Sequence, residues 1–359
     1  MRIRSIEFWR LLFAISIVLC HSMFLPTNKN GVNLHVNSLG VEFFFILSGF
    51  LMARSVCNKK EPCVALGRET AAFLAKKIKP VYTIFIIAAI FEIGARIFLR
   101  SAPITGLVWN LWDLLFLRAF GFGGRQDVLV GASWFLFALF PAMCILYPLL
   151  RKYTDMFLHI IAPLVAFFIL GWFSRTYGHI NFALHVTENK TVCLGLLRAI
   201  AEVCAGCAAY LLCDKLKQMF SENTMEEEGN LCFTLLEIVP FVAVILFAIY
   251  GSRSQTDFLC VLLVCIGIIA AFSGKSYTNE ALSKIDDNFI SGVSKYSVCL
   301  YLNHYVWLRT LRDWKLDVSF LAEISIYIAL SALTALACLI LIKYVDMFLS
   351  DIGSKFVES

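Results

Sequence analysis

"EFWRLLFAISIVLCHS", residues 7–22, is an apolar run with an arginine near its start, a histidine near its end and only Ser16 plainly polar between them. Such a stretch suits a bilayer, where roughly 20 largely apolar residues cross the hydrocarbon as a helix. Ionisable groups are costly at that depth and mark sites or paths where they persist. Arg10 and His21 are eleven residues apart. That is three helical turns plus about 20°, so both leave one helix face, about 16 Å apart along the axis. Two readings fit the pair. In one, a long ligand lies along the helix with a phosphate on Arg10 and its reactive end at His21, whose near-neutral pKa suits it to take a proton from a hydroxyl. In the other, Arg10 snorkels to lipid headgroups and His21 meets water at the helix end.

The rest of the 359-residue chain extends this composition, with 60% apolar and 16% charged residues. The mean hydropathy of +0.77 excludes an ordinary soluble domain. Ten segments are apolar enough to span, at 6–25, 38–54, 79–99, 131–150, 156–174, 192–213, 231–250, 256–273, 293–312 and 319–343. The fold expected is an all-α integral membrane protein of about ten transmembrane helices, one bundle over 1–359 with no linker long enough to separate domains and no appended soluble domain. "LVWNLWDLLFLRAFGFGG", 107–124, is interrupted by Asn110, Asp113 and Arg118, and reads as an interfacial or re-entrant helix. Ten spans put both termini on one side. Arg2, Arg4 and Arg10, with the loop carrying Arg54, Lys59, Lys60, Arg68, Lys76, Lys77 and Lys79, make that side cytoplasmic. The first run is not a signal peptide, because "LCHSMF" is a poor cleavage site and further apolar segments follow.

The net charge of +5 falls in short clusters between apolar runs, which fits membrane orientation and not a nucleic-acid surface. The thirteen cysteines are odd in number and mostly lie within apolar runs, as small packing residues do. Cys204 and Cys207 form a CxxC with no second pair at ligand spacing. Cys57 and Cys63 could pair, but their basic loop is expected to face the reducing cytoplasm. His179, His185 and Glu188, within 174–191, form a loose set whose spacing fits no metal motif. That loop reads as acceptor-facing, and 221–230 as an acidic connection.

Glu7, Arg10, Ala14, Val18 and His21 follow the pattern acidic-x-x-Arg-x-x-x-Ala-x-x-x-Val-x-x-His. In this the chain resembles membrane acyltransferase family 3, the family of bacterial surface-polysaccharide O-acetyltransferases. "GVEFFFILSGFLMARS", 40–55, is similar to the family's second helix. "FLAKKIKPVY", 73–82, resembles the basic run before its Pro-containing third helix, with lysines where arginines are usual. "SWFLFALFPAMCILYP", 133–148, and "SKYSVCLYLNHYVWL", 294–308, resemble its Trp-Phe-Leu and Tyr-Leu-x-His segments.

The resemblance implies that His21 is catalytic, as general base on the acceptor hydroxyl or as nucleophile in a transient acetyl-histidine. It implies that Arg10 holds the donor's phosphates. Lys76, Lys77 and Lys79 either add charge there, without the guanidinium fork, or are ordinary positive-inside charge. Glu7 can pair with Arg10 and orient it. Glu42 either fixes the imidazole tautomer, binds a sugar hydroxyl or is a solvated helix-start carboxylate. Ser48 and Gly49 permit close approach of a helix or a slim ligand arm. Trp134 either stacks on a sugar ring or belongs to the interfacial aromatic belt, and His304 either bonds another helix or contacts ligand. The activity implied is acetyl transfer from cytoplasmic acetyl-CoA to a hydroxyl of a cell-surface polysaccharide or its lipid-linked precursor, by a multi-pass plasma-membrane protein. Acetyl-CoA would be a substrate and not a permanently bound cofactor, a glycan or glycolipid the acceptor, and no metal or nucleic acid a partner. Succinyl transfer on the same fold is one rival. A transporter with a proton-linked histidine is another, although no paired halves with interrupted helices are evident.

Overall fold

The computed structural model describes residues 3–25, 39–59, 63–100, 110–122, 128–187, 192–221 and 227–357. Among these residues the secondary structure is helical, apart from one isolated bridge between Val186 and Cys193. The helices are, in order, α1 (Arg4–His21), α2 (Gly40–Cys57), α3 (Leu66–Gly94), α4 (Leu111–Leu114), α5 (Trp134–Lys152), α6 (Thr154–Met156), α7 (Ala162–Tyr177), α8 (Leu194–Ser221), α9 (Glu227–Tyr250), α10 (Thr256–Phe272), α11 (Tyr277–Ala281), α12 (Asp287–Trp314) and α13 (Phe320–Val357).

Each of the ten apolar segments coincides with a helix. Among the described residues, eight helical stretches are long and apolar enough to cross a membrane, and α10 with the bent α11 segment makes a ninth if the two count as one broken span. The tenth, α12, has the length but not the apolarity, because it buries Ser294, Ser297, Asn303, His304 and Thr310. Those groups face other helices, so α12 is wrapped by protein. By contrast Phe167 and Phe168 on α7 and Leu333 on α13 are exposed, as side chains against lipid are.

Local signals fix the ends of the central elements. Asp286 caps α12 by accepting from the backbone N–H groups of Asn288 at 2.9 Å and Phe289 at 3.1 Å. Lys315 ends it in the left-handed conformation. Two apolar clusters make up the interior, and α1, α2, α7 and α8 contribute to both. The backbones of α2 and α8 come into direct contact at two glycines. A Cβ at Gly49 would overlap the carbonyl of Val203, and one at Gly206 the carbonyl of Ile46. This is the small-residue packing that helices use where lipid removes the hydrophobic drive between them.

The helix expected over 107–124 is not continuous in its described residues. Residues 110–122 form the single turn α4 and a 3-10 turn at Arg118–Phe120. The polar residues that interrupt the run explain the change. Buried Asp113 accepts from Asn110 at 3.2 Å, from Arg118 at 2.7 Å and from the backbone N–H of Leu129 at 2.7 Å. One carboxylate thus gathers the polar side chains of the segment inward, while Leu111, Leu115, Phe120 and Phe122 stay exposed. All thirteen cysteines are free.

Candidate active site

α1 and α12 run in the same direction. Arg4 pairs with Asp287 at 2.7 Å near their starts, and the rings of His21 and His304 lie 5.1 Å apart towards their other ends. Between these levels Arg10 faces α12. Its Nη1 donates to Glu7 Oε2 at 3.0 Å and to Ser294 Oγ at 3.4 Å. Glu7 is buried, so it holds the guanidinium from one side and leaves the rest directed into the bundle.

Arg10 stands at one end of a cavity of about 420 Å³ lined also by Lys76, Lys77 and Ser48. Beyond the basic residues the wall is apolar, with Phe44, Leu51 and Met143 among its members, and it reaches Tyr301 and Leu302. The volume lies within the range of small-molecule sites. Ser48 and Gly49 divide the work expected of the pair: Ser48 lines the cavity, and Gly49 admits the α8 backbone. Lys77 packs its ammonium over the Phe73 ring at 5.7 Å. Lys79 is exposed and lies outside the cavity wall.

At the far end the Tyr301 ring is shared between the cavity wall and the histidines, 6.0 Å from the His304 ring. Its hydroxyl donates to the carbonyl of Ala132 at 2.9 Å, which fixes the ring. His21 Nδ1 sits 2.8 Å from the carbonyl oxygen of Ile17. A carbonyl only accepts, so Nδ1 carries the proton and Nε2 keeps its lone pair. His304 is fully buried, and among the described residues neither of its ring nitrogens meets a partner at full hydrogen-bond geometry. Tyr305 stacks edge-on to both rings, at 4.9 Å from His21 and 5.0 Å from His304.

Glu42 has a different neighbour from the one considered in the sequence. The Ile17 carbonyl fixes the imidazole tautomer, and Glu42 forms an ion pair with Arg198. Arg198, fully buried, also donates to Glu202 at 3.1 Å and to the carbonyl of Phe182 at 3.1 Å. Its guanidinium lies 5.5 Å from the Trp134 ring, so Trp134 covers a buried cation. His179 and His185 each accept at Nδ1 from a nearby backbone N–H, that of Asn181 and of Ala183, both at 3.2 Å. Glu188 lies outside the described residues. Among the described residues no group of three or more His, Cys, Asp or Glu is placed to hold a metal ion.

A second charged cluster was not singled out from the sequence. Buried Glu92 on α3 receives Arg96, Arg100 and Arg309. Glu92 and Arg309, like Arg198 and Glu202 at i,i+4, lie in or near apolar runs, and that was the available signal.

A bundle of long apolar helices wrapped around a polar α12 defines a multi-pass membrane protein. A family model described as an acyltransferase domain, that of acyltransferase family 3, matches residues 3–343. The chain belongs to membrane acyltransferase family 3 and is an acyltransferase. Comparison with curated proteins and with solved structures gave no match.

Proposed function

We propose that this acyltransferase moves an acetyl group from cytoplasmic acetyl-CoA to a hydroxyl of a cell-surface polysaccharide or its lipid-linked precursor. The observation that carries the reading is the cavity that begins at Arg10, Lys76 and Lys77, is apolar along its middle and ends against Tyr301 beside the two histidines. CoA has the matching order of parts: phosphates on the basic residues, the pantetheine arm against the apolar wall and the thioester towards His21. Arg10 supplies charge-assisted bonds to phosphate, and the lysines supply point charge. The Tyr301 ring, held by its bond to Ala132, forms the wall between the cavity and the histidines.

The chemistry follows from the His21 tautomer. Nε2 takes the proton of the acceptor hydroxyl as its oxygen attacks the thioester carbonyl carbon. The tetrahedral intermediate collapses with cleavage of the C–S bond, and the CoA thiolate takes the proton from the imidazolium. An O-acetyl ester and free CoA result, with His21 restored. His304, 5.1 Å away, donates from its ring N–H to the intermediate's oxyanion. In this arrangement α10 and α12 also cross the plasma membrane, giving ten spans, and the Arg10 end is cytoplasmic.

Mass spectrometry of surface glycans from a strain lacking the protein and from its parent tests the reading. Loss of an acetyl increment that returns on complementation is expected. Unchanged glycan acetylation would overturn it.

A further inference from the structure

Three guanidinium groups meet on one oxygen at the histidine end of the bundle. Glu92 Oε1 accepts from Arg96 Nε at 3.3 Å, Arg100 Nη2 at 2.7 Å and Arg309 Nη1 at 2.8 Å. Arg309 also donates to the carbonyls of Val128 and Leu129. The side chain of Arg100 is 6% exposed and that of Glu92 1%. Arg100 Nε and Glu92 Oε2 are both buried with no partner among the described residues. Glu92 is the one carboxylate that these three arginines pair with among the described residues. Counted over these four side chains, the cluster holds two more positive charges than negative.

Surplus buried charge of this size is unfavourable unless something neutralises it. Guanidinium forks match the paired oxygens of a phosphate, and two surplus charges match a phosphate or diphosphate better than a single carboxylate. The backbone assists. α3 ends in a π-helical turn at Ala95–Leu99, whose wider winding brings Arg100 back over Glu92; such turns recur at functional sites. The location is informative as well. Arg309 lies five residues beyond His304, about 7.5 Å further along α12. Tyr305 links the two places, with its ring 4.9 Å from His21 and 5.8 Å from the Arg309 guanidinium carbon. The cluster is on the opposite side of the histidines from Arg10.

We infer that Arg96, Arg100 and Arg309, assembled on Glu92, bind a phosphate or diphosphate group of the acceptor and so hold its hydroxyl near His21. This rests on the acyl-transfer reading for its purpose, but not for its test. The purified full chain in uncharged detergent is titrated with inorganic diphosphate and, separately, with a long-chain prenyl diphosphate carried in the micelle. Saturable binding is expected, weakened at least tenfold by Arg100→Gln and by Arg96→Gln and largely kept by Arg100→Lys. A single gel-filtration peak and an unfolding midpoint close to that of the parent report that each variant is folded. Binding confined to the prenyl compound assigns a lipid-borne acceptor, and equal binding of both assigns a soluble phosphorylated one. No binding of either probe, or equal binding by folded Gln variants, overturns the inference. Phosphate binding that persists while His21→Ala leaves transfer intact overturns the acyl-transfer chemistry instead.

Discussion

Arg10 and His21 are the two side chains on which the proposed mechanism rests, and their separation is what suggests it. Their common helix face was legible in "RLLFAISIVLCH", because an α-helix repeats at a fixed angle. What the sequence could not supply was what each side chain meets. Arg10 is steadied by Glu7 and reaches Ser294 across the bundle. His21 is set by its own helix, through the Ile17 carbonyl. Glu42 was legible as a carboxylate near the site, but its partner Arg198 is 156 residues away in the chain, and no local periodicity reaches that far. On the proposed donor site, replacing Arg10 by Ala removes charge-assisted bonds to phosphate, each worth about 1.5–3 kcal/mol. The KM for acetyl-CoA should therefore rise about 10- to 100-fold, with kcat much less affected. Arg10→Lys should recover some of the loss. An unchanged KM in steady-state kinetics would remove Arg10 from the donor site.

At the scale of elements, α2 and α8 are held by two different devices. Gly49 and Gly206 let the backbones touch, and Glu42, Arg198 and Glu202 form a buried ionic cluster near the end where α8 begins. Removing one partner of a buried ion pair costs about 3–5 kcal/mol, because the remaining charge stays buried. Arg198→Leu should accordingly lower the unfolding temperature in detergent even though it adds apolar volume; an unchanged midpoint would show that the cluster contributes nothing. The loop between α7 and α8 answers to pH. Burial lowers the pKa of both His179 and His185, and both accept a backbone hydrogen bond at Nδ1. The neutral forms belong to the fold. Their stabilisation is present above the ordinary histidine pKa of about 6.5 and is lost as pH falls below it through the depressed values. Amide exchange at Asn181 and Ala183 should speed up between neutral and acidic pH, and equal protection at both would refute this. The 107–124 segment shows where local reading stops. Its interrupted apolar run suggested an interfacial or re-entrant helix, but Asp113 finds a backbone partner at Leu129, and the described residues form short turns.

Across the whole molecule, helix positions were legible because apolar runs of spanning length leave few other structures in a bilayer. The special status of α12 was less so: its apolar run read as one more span, whereas its buried polar groups make it a helix enclosed by α1, α3 and α13. The molecule then has two polar regions on opposite sides of the histidine pair. One is the basic mouth at Arg10, Lys76 and Lys77, and the other is the arginine cluster on Glu92. A donor from one side and an acceptor from the other would meet at His21 without either crossing the membrane whole. The most direct measurement uses sealed membrane vesicles bearing the protein, with acetyl-labelled acetyl-CoA supplied on the face that exposes Lys76. Label should appear in glycan on the opposite face, and His21→Ala should reduce its rate by at least about 10²-fold, the lower range for loss of a general base. Equal labelling by folded His21→Ala protein would contradict the central role given to His21.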